Sequence, residues 1–176
     1  MAAKSPSESI AADDRPAAPL RGDAHARRGE RGARHHARAL ALQGLYGWLL
    51  AGGDAQAIAA QLLTEEQRAR VDIAFFEETL ARTIAAADEL RAEFAALVDR
   101  PVAALSPIEH GVLIIGAFEL KYRPEIPYRV CISEAIELAK SFGGTDGFRY
   151  VNGVLDKLAQ RLRGTEMEMA RGAPAR

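Results

Sequence analysis

PYRVCISEAIELAKSFGGTDGFRYVNGVLDKLAQRLR, residues 127–163, contains a dipeptide, Asn152-Gly153, that would ordinarily mark a β-hairpin. A hairpin also needs alternating apolar and polar residues on both flanks. Here Phe148, Val151, Leu155, Leu158 and Leu162 step by threes and fours straight across the dipeptide, which is the helical period. The stretch therefore reads as two helices. Pro127 opens the first, and Gly143 is placed to end it in a left-handed conformation. Asp146 is placed to cap the second.

Working outward, the same period recurs. SPIEHGVLIIGAFELKY, residues 106–122, begins with a capping box: Ser106 is the cap, Pro107 takes the first helical position, and Glu109 can reach back to the Ser106 amide. Residues 71–98 carry Ile73, Phe76, Leu80, Ile84, Leu90 and Phe94 on one stripe, expected as a single long core helix closed by Arg100-Pro101. Asp54 can cap a short helix through QAIAAQLL. A first helix is expected from about Ala33 to Leu50, ending at Gly52-Gly53. No segment shows sustained strand alternation. The fold class is all-α, a compact bundle of about six to seven helices over residues 31–163. Residues 1–30 and 164–176 lack apolar periodicity and are expected as a disordered basic arm and a disordered tail.

The 176 residues suffice for one domain with its own core. Net charge is −1, yet its distribution is uneven. Residues 21–38 hold six arginines against Asp23 and Glu30, whereas residues 39–176 are net acidic. A basic arm ahead of a mildly acidic body points to an acidic partner such as nucleic acid. Cys131 is the only cysteine, which excludes an intramolecular disulfide and fits the cytoplasm. Its expected role is that of a small buried apolar residue. The longest strongly apolar run, VLIIGAF, is far short of the roughly 20 residues a membrane span needs.

RGARHHARALALQGLYGWLL, residues 31–50, places cations and large apolar side chains on one helix. Residues three or four apart share a helix face, so Arg31, Arg34 and Arg38 form a strip with His35 beside them and His36 at its flank. Tyr46 lies near its lower end. Guanidinium groups neutralise phosphates and an aromatic ring stacks a splayed base, a pairing that suits single-stranded RNA. The plainer reading is a solvated arm, although cations at a helix start oppose the helix dipole. Trp48 is expected in the core. Glu109 and Asp146 have plain capping duties, and Tyr150 can serve as a rim aromatic. Catalysis is not expected: no metal-ligand spacing, nucleotide loop or placed nucleophile occurs, and no cofactor or metal is implied.

ARHHARALALQGLYGW, SPIEHGVLIIGAFEL and above all EAIELAKSFG followed by FRYVNGVLDKL resemble the NusB family of bacterial transcription antitermination factors, from about Arg31 to Arg163 and in family order. The resemblance implies a helical RNA-binding adaptor that recognises the boxA element of nascent rRNA leader transcripts together with NusE, a small-subunit ribosomal protein, within an RNA polymerase antitermination complex. By position, the family's arginine-rich motif falls on Arg34, His35, His36 and Arg38, and its aromatic RNA contact on Tyr46. A second aromatic at the RNA edge falls on Tyr150 with Arg149 beside it, and NusE-facing acids fall on Glu109 and Asp146. Relatives often place arginine where this chain has His35 and His36, and neutral imidazole attracts phosphate less near pH 7; Arg27, Arg28 and Arg31 are expected to compensate. Two other readings stay open: a helical protein-binding scaffold independent of RNA, and the RNA-targeting domain of an RNA-modification system. A homodimer covering the arginine strip is also compatible with the sequence.

Overall fold

One helix is apolar almost all the way round, and the rest of the molecule is built on it. The computed structural model describes residues 21–172, with side chains described from Gly29 onward. Its elements are α1 (Arg21–Ala51), α2 (Ala55–Leu62), α3 (Glu65–Arg68), α4 (Ile73–Ala85), α5 (Ala87–Ala95), a 3-10 turn (Val102–Ala104), α6 (Pro107–Tyr122), α7 (Tyr128–Phe142), α8 (Gly147–Leu162) and α9 (Gly164–Gly172). Residues 111–120 of α6 are all buried. A helix without a polar stripe must be enclosed, and α1, α4, α5, α7 and α8 pack around it. Gly111 and Gly116 let neighbours close in: a Cβ there would stand 2.8 Å from side-chain carbons of Leu42 and Leu155 respectively.

The pairings fix helix directions. Leu42 meets Gly111 near the start of α6, while Arg38 meets Glu119 near its end, so α1 and α6 are antiparallel. Gly147 lies beside Glu109 and Leu155 beside Gly116, so α6 and α8 are parallel. Gly143 lies 3.7 Å, measured from an added Cβ, from Ile108, which makes α7 antiparallel to α6. The end of the bundle with the α6 and α8 N-termini therefore also receives the C-terminal parts of α1 and α7.

The all-helical bundle expected from periodicity is what is observed, and Asn152-Gly153 is helical within α8. The capping box of Ser106 and Glu109 forms, as does the Asp54 cap on Ala57 N–H at 2.9 Å. Several details differ. The stripe over 71–98 divides at Ala86 (φ −102°, ψ 17°) into α4 and α5, each of which buries part of the stripe. Helix α3, unforeseen, is capped by Thr64, whose hydroxyl accepts from Gln67 N–H. Helix α1 begins at Arg21, so residues 21–30 of the arm expected to be disordered are helical; once a helix is nucleated each added residue extends it cheaply. Residues 1–20 of that arm lie outside the described residues.

The tail expected from Gly164 is helical to Gly172, held by Arg163 and Glu166. The Arg163 guanidinium donates to the carbonyls of Glu119, Leu120 and Arg123 at 3.1, 2.6 and 2.9 Å, adding to the backbone bonds that the Glu119 and Arg123 carbonyls already accept at the end of α6. Glu166 pairs with Arg163 and accepts from Tyr128 N–H, tying α9 to the starts of α7 and the end of α8. Gly143 is extended (φ −93°, ψ −179°), contrary to the left-handed turn expected. A Cβ there would stand 2.6 Å from the Ala139 carbonyl oxygen, so close approach selects glycine. Cys131 is buried as expected, with its thiol pushed up to about 12, chiefly by burial and then by the nearby Glu119 charge.

Candidate nucleic-acid interface

Helix α1 has two sides. Ala37, Ala41 and Leu45 are fully buried, and Leu40 and Leu42 nearly so. Arg31 and Arg34 are exposed, His35 and His36 half-buried, and Tyr46 is 41% exposed. The inward side follows from apolar residues at helical spacing; the outward side holds most of the strip read from the sequence.

Arg38 departs from that strip. Its side chain is only 4% exposed, and its Nε donates to Glu119 Oε1 at 2.6 Å while Nη2 donates to Oε2 at 3.2 Å. Its guanidinium also stands 3.4 Å from Glu134 and 4.9 Å from the Phe75 ring centre. Burial pushes the Glu119 carboxyl up, and the Arg38 guanidinium opposes that shift. The expected exposed row of guanidinium groups is thus interrupted, because a buried carboxylate on α6 claims the third, Arg38. The i+4 path from Arg38 through Leu42 to Tyr46 passes into the core at Leu42 before re-emerging.

The remaining strip residues are held individually. Arg34 reaches Asp72 at 3.5 Å and stacks 5.5 Å from the Phe75 ring centre. His35 Nδ1 donates to Glu134 Oε2 at 2.9 Å, because an ionised carboxylate only accepts. His36 Nδ1 donates to the Gly32 carbonyl at 2.8 Å. Arg31, Arg34 and Arg38 line a groove of about 400 Å³ against the α6–α7 connection, whose other wall includes Pro127, Val130 and Glu134.

At the opposite end of α1 the other sequence-derived residues gather. A Cβ on Gly147 would stand 3.3 Å from Glu109 Oε1, so the starts of α6 and α8 bring Glu109 and Asp146 to one edge. Glu109 is committed to its capping box, accepting from Ser106 N–H and Oγ–H at 3.3 and 2.9 Å. Asp146 occupies the cap position of α8 without capping: its side chain accepts no backbone N–H there, contrary to expectation, and instead lies 3.4 Å from Arg149. Both of those side chains are about three-quarters exposed. The Tyr150 ring packs under Arg100 at 4.8 Å, and its hydroxyl is buried with no hydrogen-bond partner among the described residues. Burial, reinforced by Asp99, raises the Tyr150 hydroxyl above its ordinary range. Trp48 is half-buried at the core edge under Arg91. The sequence marks Arg100 only as the close of a helix, because nothing local links it to Tyr150.

Among the described residues no group of three His, Cys, Asp or Glu could hold a metal ion, and no helix is long and apolar enough to cross a membrane. Fold and surface together define a class: an all-helical bundle whose first helix is locked into the core on one side and carries cations and an aromatic ring on the other. The comparisons narrow this class. The NusB family model matches residues 35–160. Transcription antitermination protein NusB of Bordetella pertussis is 52% identical over 149 residues, covering 82% of this chain and 97% of that protein. The protein of the same name from Thiobacillus denitrificans is 51% identical over 140 residues, covering 80% and 97%. Among solved structures, T. maritima NusB is similar with a TM-score of 0.65 at 25% identity over 77% of this chain and 96% of that one. A crystal structure of antitermination factors NusB and NusE in complex with dsRNA shares the fold, with a TM-score of 0.62 at 16% identity over 72% and 96%. The chain belongs to the NusB family of transcription antitermination factors.

Proposed function

We propose that this protein binds the boxA element of nascent rRNA leader transcripts together with NusE, and that it acts in the cytoplasm as a binding adaptor in the RNA polymerase antitermination complex. Arg31 and Arg34 attract phosphates, His35 and His36 border the strand, and Tyr46 stacks a base. Arg149 and Tyr150 extend the RNA path at the α8 end, while Glu109 and Asp146 face NusE. Arg38 contributes indirectly, as the buried strut of α1. The observation that carries this reading is the sidedness of α1: exposed cations and an exposed phenol on a helix whose other side is sealed in the core. Flexible single strands are recognised by such a pairing of phosphate contacts and stacking platforms. The structure of a NusB with NusE in complex with dsRNA supports NusE and RNA as classes of partner.

The test is a gel shift of boxA RNA against a scrambled control, with and without NusE, on the wild-type chain and on Arg34→Ala and Tyr46→Ala. Preferential boxA binding, strengthened by NusE and weakened by both variants, is expected, with Tyr46→Ala losing about 1–3 kcal/mol. Equal binding of boxA and scrambled RNA by the wild-type protein would refute the assignment.

A further inference from the structure

The turn between α3 and α4 delivers a cation to α1 that no motif predicts. Arg70, in that turn, places its Nη2 3.2 Å from His36 Nε2. A guanidinium only donates, so Nε2 must accept. The other bond of the ring agrees, because the Gly32 carbonyl only accepts and therefore needs the proton on Nδ1. Two independent contacts thus require the same neutral tautomer, and in that form His36 is an acceptor holding an arginine. The Arg70 side chain remains 54% exposed, and among the described residues its one carboxylate partner is Glu66 at 3.6 Å, itself 77% exposed. Both features leave the guanidinium reachable from solvent.

Its position gives it a use. At 100° per residue, His36 lies about 140° around α1 from Arg31, and Tyr46 falls between them, about 60° from Arg31. His35, about 40° from Arg31, lies on the same ridge. Exposed guanidinium groups therefore flank that ridge: Arg31 on one side, Arg70 across it. A strand stacked on Tyr46 and laid along α1 would have a phosphate-attracting group at each flank. Among the described side chains of α1, no arginine or lysine lies on that second flank, so α1 alone does not supply it.

We propose that Arg70 is a phosphate-binding residue of the RNA surface, and that His36 is the positioning residue that docks its guanidinium beside α1. This inference rests on the RNA reading above. Its test is a titration of boxA RNA across a range of salt concentrations, using the full chain, Arg70→Ala, His36→Ala, His36→Gln, the double variant Arg70→Ala/His36→Ala, and Lys157→Ala as a charge-matched control on α8. Arg70→Ala is expected to weaken binding about fivefold or more at low salt and to reduce the log–log salt slope by about 0.7, the amount for one single-strand phosphate contact. Lys157→Ala leaves both unchanged. His36→Ala weakens binding in the same direction, the double variant is no weaker than Arg70→Ala, and His36→Gln, whose Oε1 can replace the accepting nitrogen, restores affinity. Circular dichroism confirms the fold of each variant. A wild-type slope and affinity for Arg70→Ala overturns the proposal for Arg70, and additive losses in the double variant overturn the positioning role of His36. Absence of boxA preference in the wild-type curve overturns the RNA reading itself, and this inference with it.

Discussion

Replacing Arg38 by alanine should damage the fold and spare the RNA surface. The substitution leaves Glu119, 1% exposed, without the guanidinium that donates to both of its oxygens. Removing one partner of a buried pair costs about 3–5 kcal/mol, because the other charge stays desolvated and uncompensated. A domain of this size has a total stability of about 5–15 kcal/mol, so a fifth or more of it would be lost. At about 2–4 °C per kcal/mol, Tm should fall by about 6–20 °C. Urea unfolding followed by far-UV circular dichroism measures this as a lower midpoint at unchanged slope. The paired variant Arg38→Met with Glu119→Leu removes both charges and keeps volume, and is expected to recover most of the loss. Below its own transition, Arg38→Ala should still bind boxA RNA. A midpoint within about 0.5 kcal/mol of wild type, combined with lost RNA affinity, would return Arg38 to the binding surface and refute the strut argument.

Two further perturbations read other parts of the molecule. His110 accepts from Arg91 Nε at 3.0 Å, and burial first, then the Arg91 charge, lower its ring to about 4. In the unfolded chain the ring titrates near 6.5, so between those values the unfolded state binds more protons and stability falls as pH drops from about 6.5 towards 4. The loss is on the order of 1–2 kcal/mol once screening at a half-buried ring is allowed for; His110→Gln should flatten that part of the profile, and an unchanged pH slope in denaturant unfolding would count against it. Asp146→Lys should lower NusE affinity in calorimetry with little loss of fold stability, since the carboxylate makes no capping bond and is 77% exposed; wild-type NusE binding would remove Asp146 from that interface.

Periodicity made most of the fold legible. The stripe across Asn152-Gly153, the capping box at Ser106 and the Asp54 cap are local signals, and each formed where the chain placed it. The breaks were less visible. Ala86 is a good helix former, so nothing in its own chemistry announces that α4 ends there, while Phe76 and Leu80 before it and Leu90 and Phe94 after it are all buried. Helix α9 was hidden for the same reason. Its anchor is Glu166 bridging Arg163 and Tyr128, residues 3 and 38 positions away, and only the latter contact is tertiary. On the candidate site, spacing placed Arg31, Arg34, His35 and Tyr46 on α1 correctly as sequence, but it could not say which cations the core would claim. Arg38, expected on the surface, is buried, and Arg70, marked by no motif, stands exposed beside α1, an exchange that spacing could not show because Glu119 lies 81 positions from the first and His36 lies 34 positions from the second.

That exchange explains why one helix carries both charge and core. Cations spaced along a mobile arm would offer RNA only diffuse attraction, whereas fixed spacing requires the helix to be held in one register. Ala37, Leu40, Ala41, Leu42 and Leu45 provide the apolar contact, and Leu42 seated against Gly111 sets one register. The Arg38–Glu119 pair discriminates strongly: sliding α1 by one turn would carry the guanidinium about 5.4 Å along the axis and leave two buried charges apart. Glu134 shares the same geometry from α7, meeting Arg38 on the buried side and His35 towards the surface, so the two helices that frame the groove are set relative to each other by one carboxylate. The buried arginine thereby reinforces a register that Leu42 against Gly111 already sets, and the exposed cations stand where that register places them.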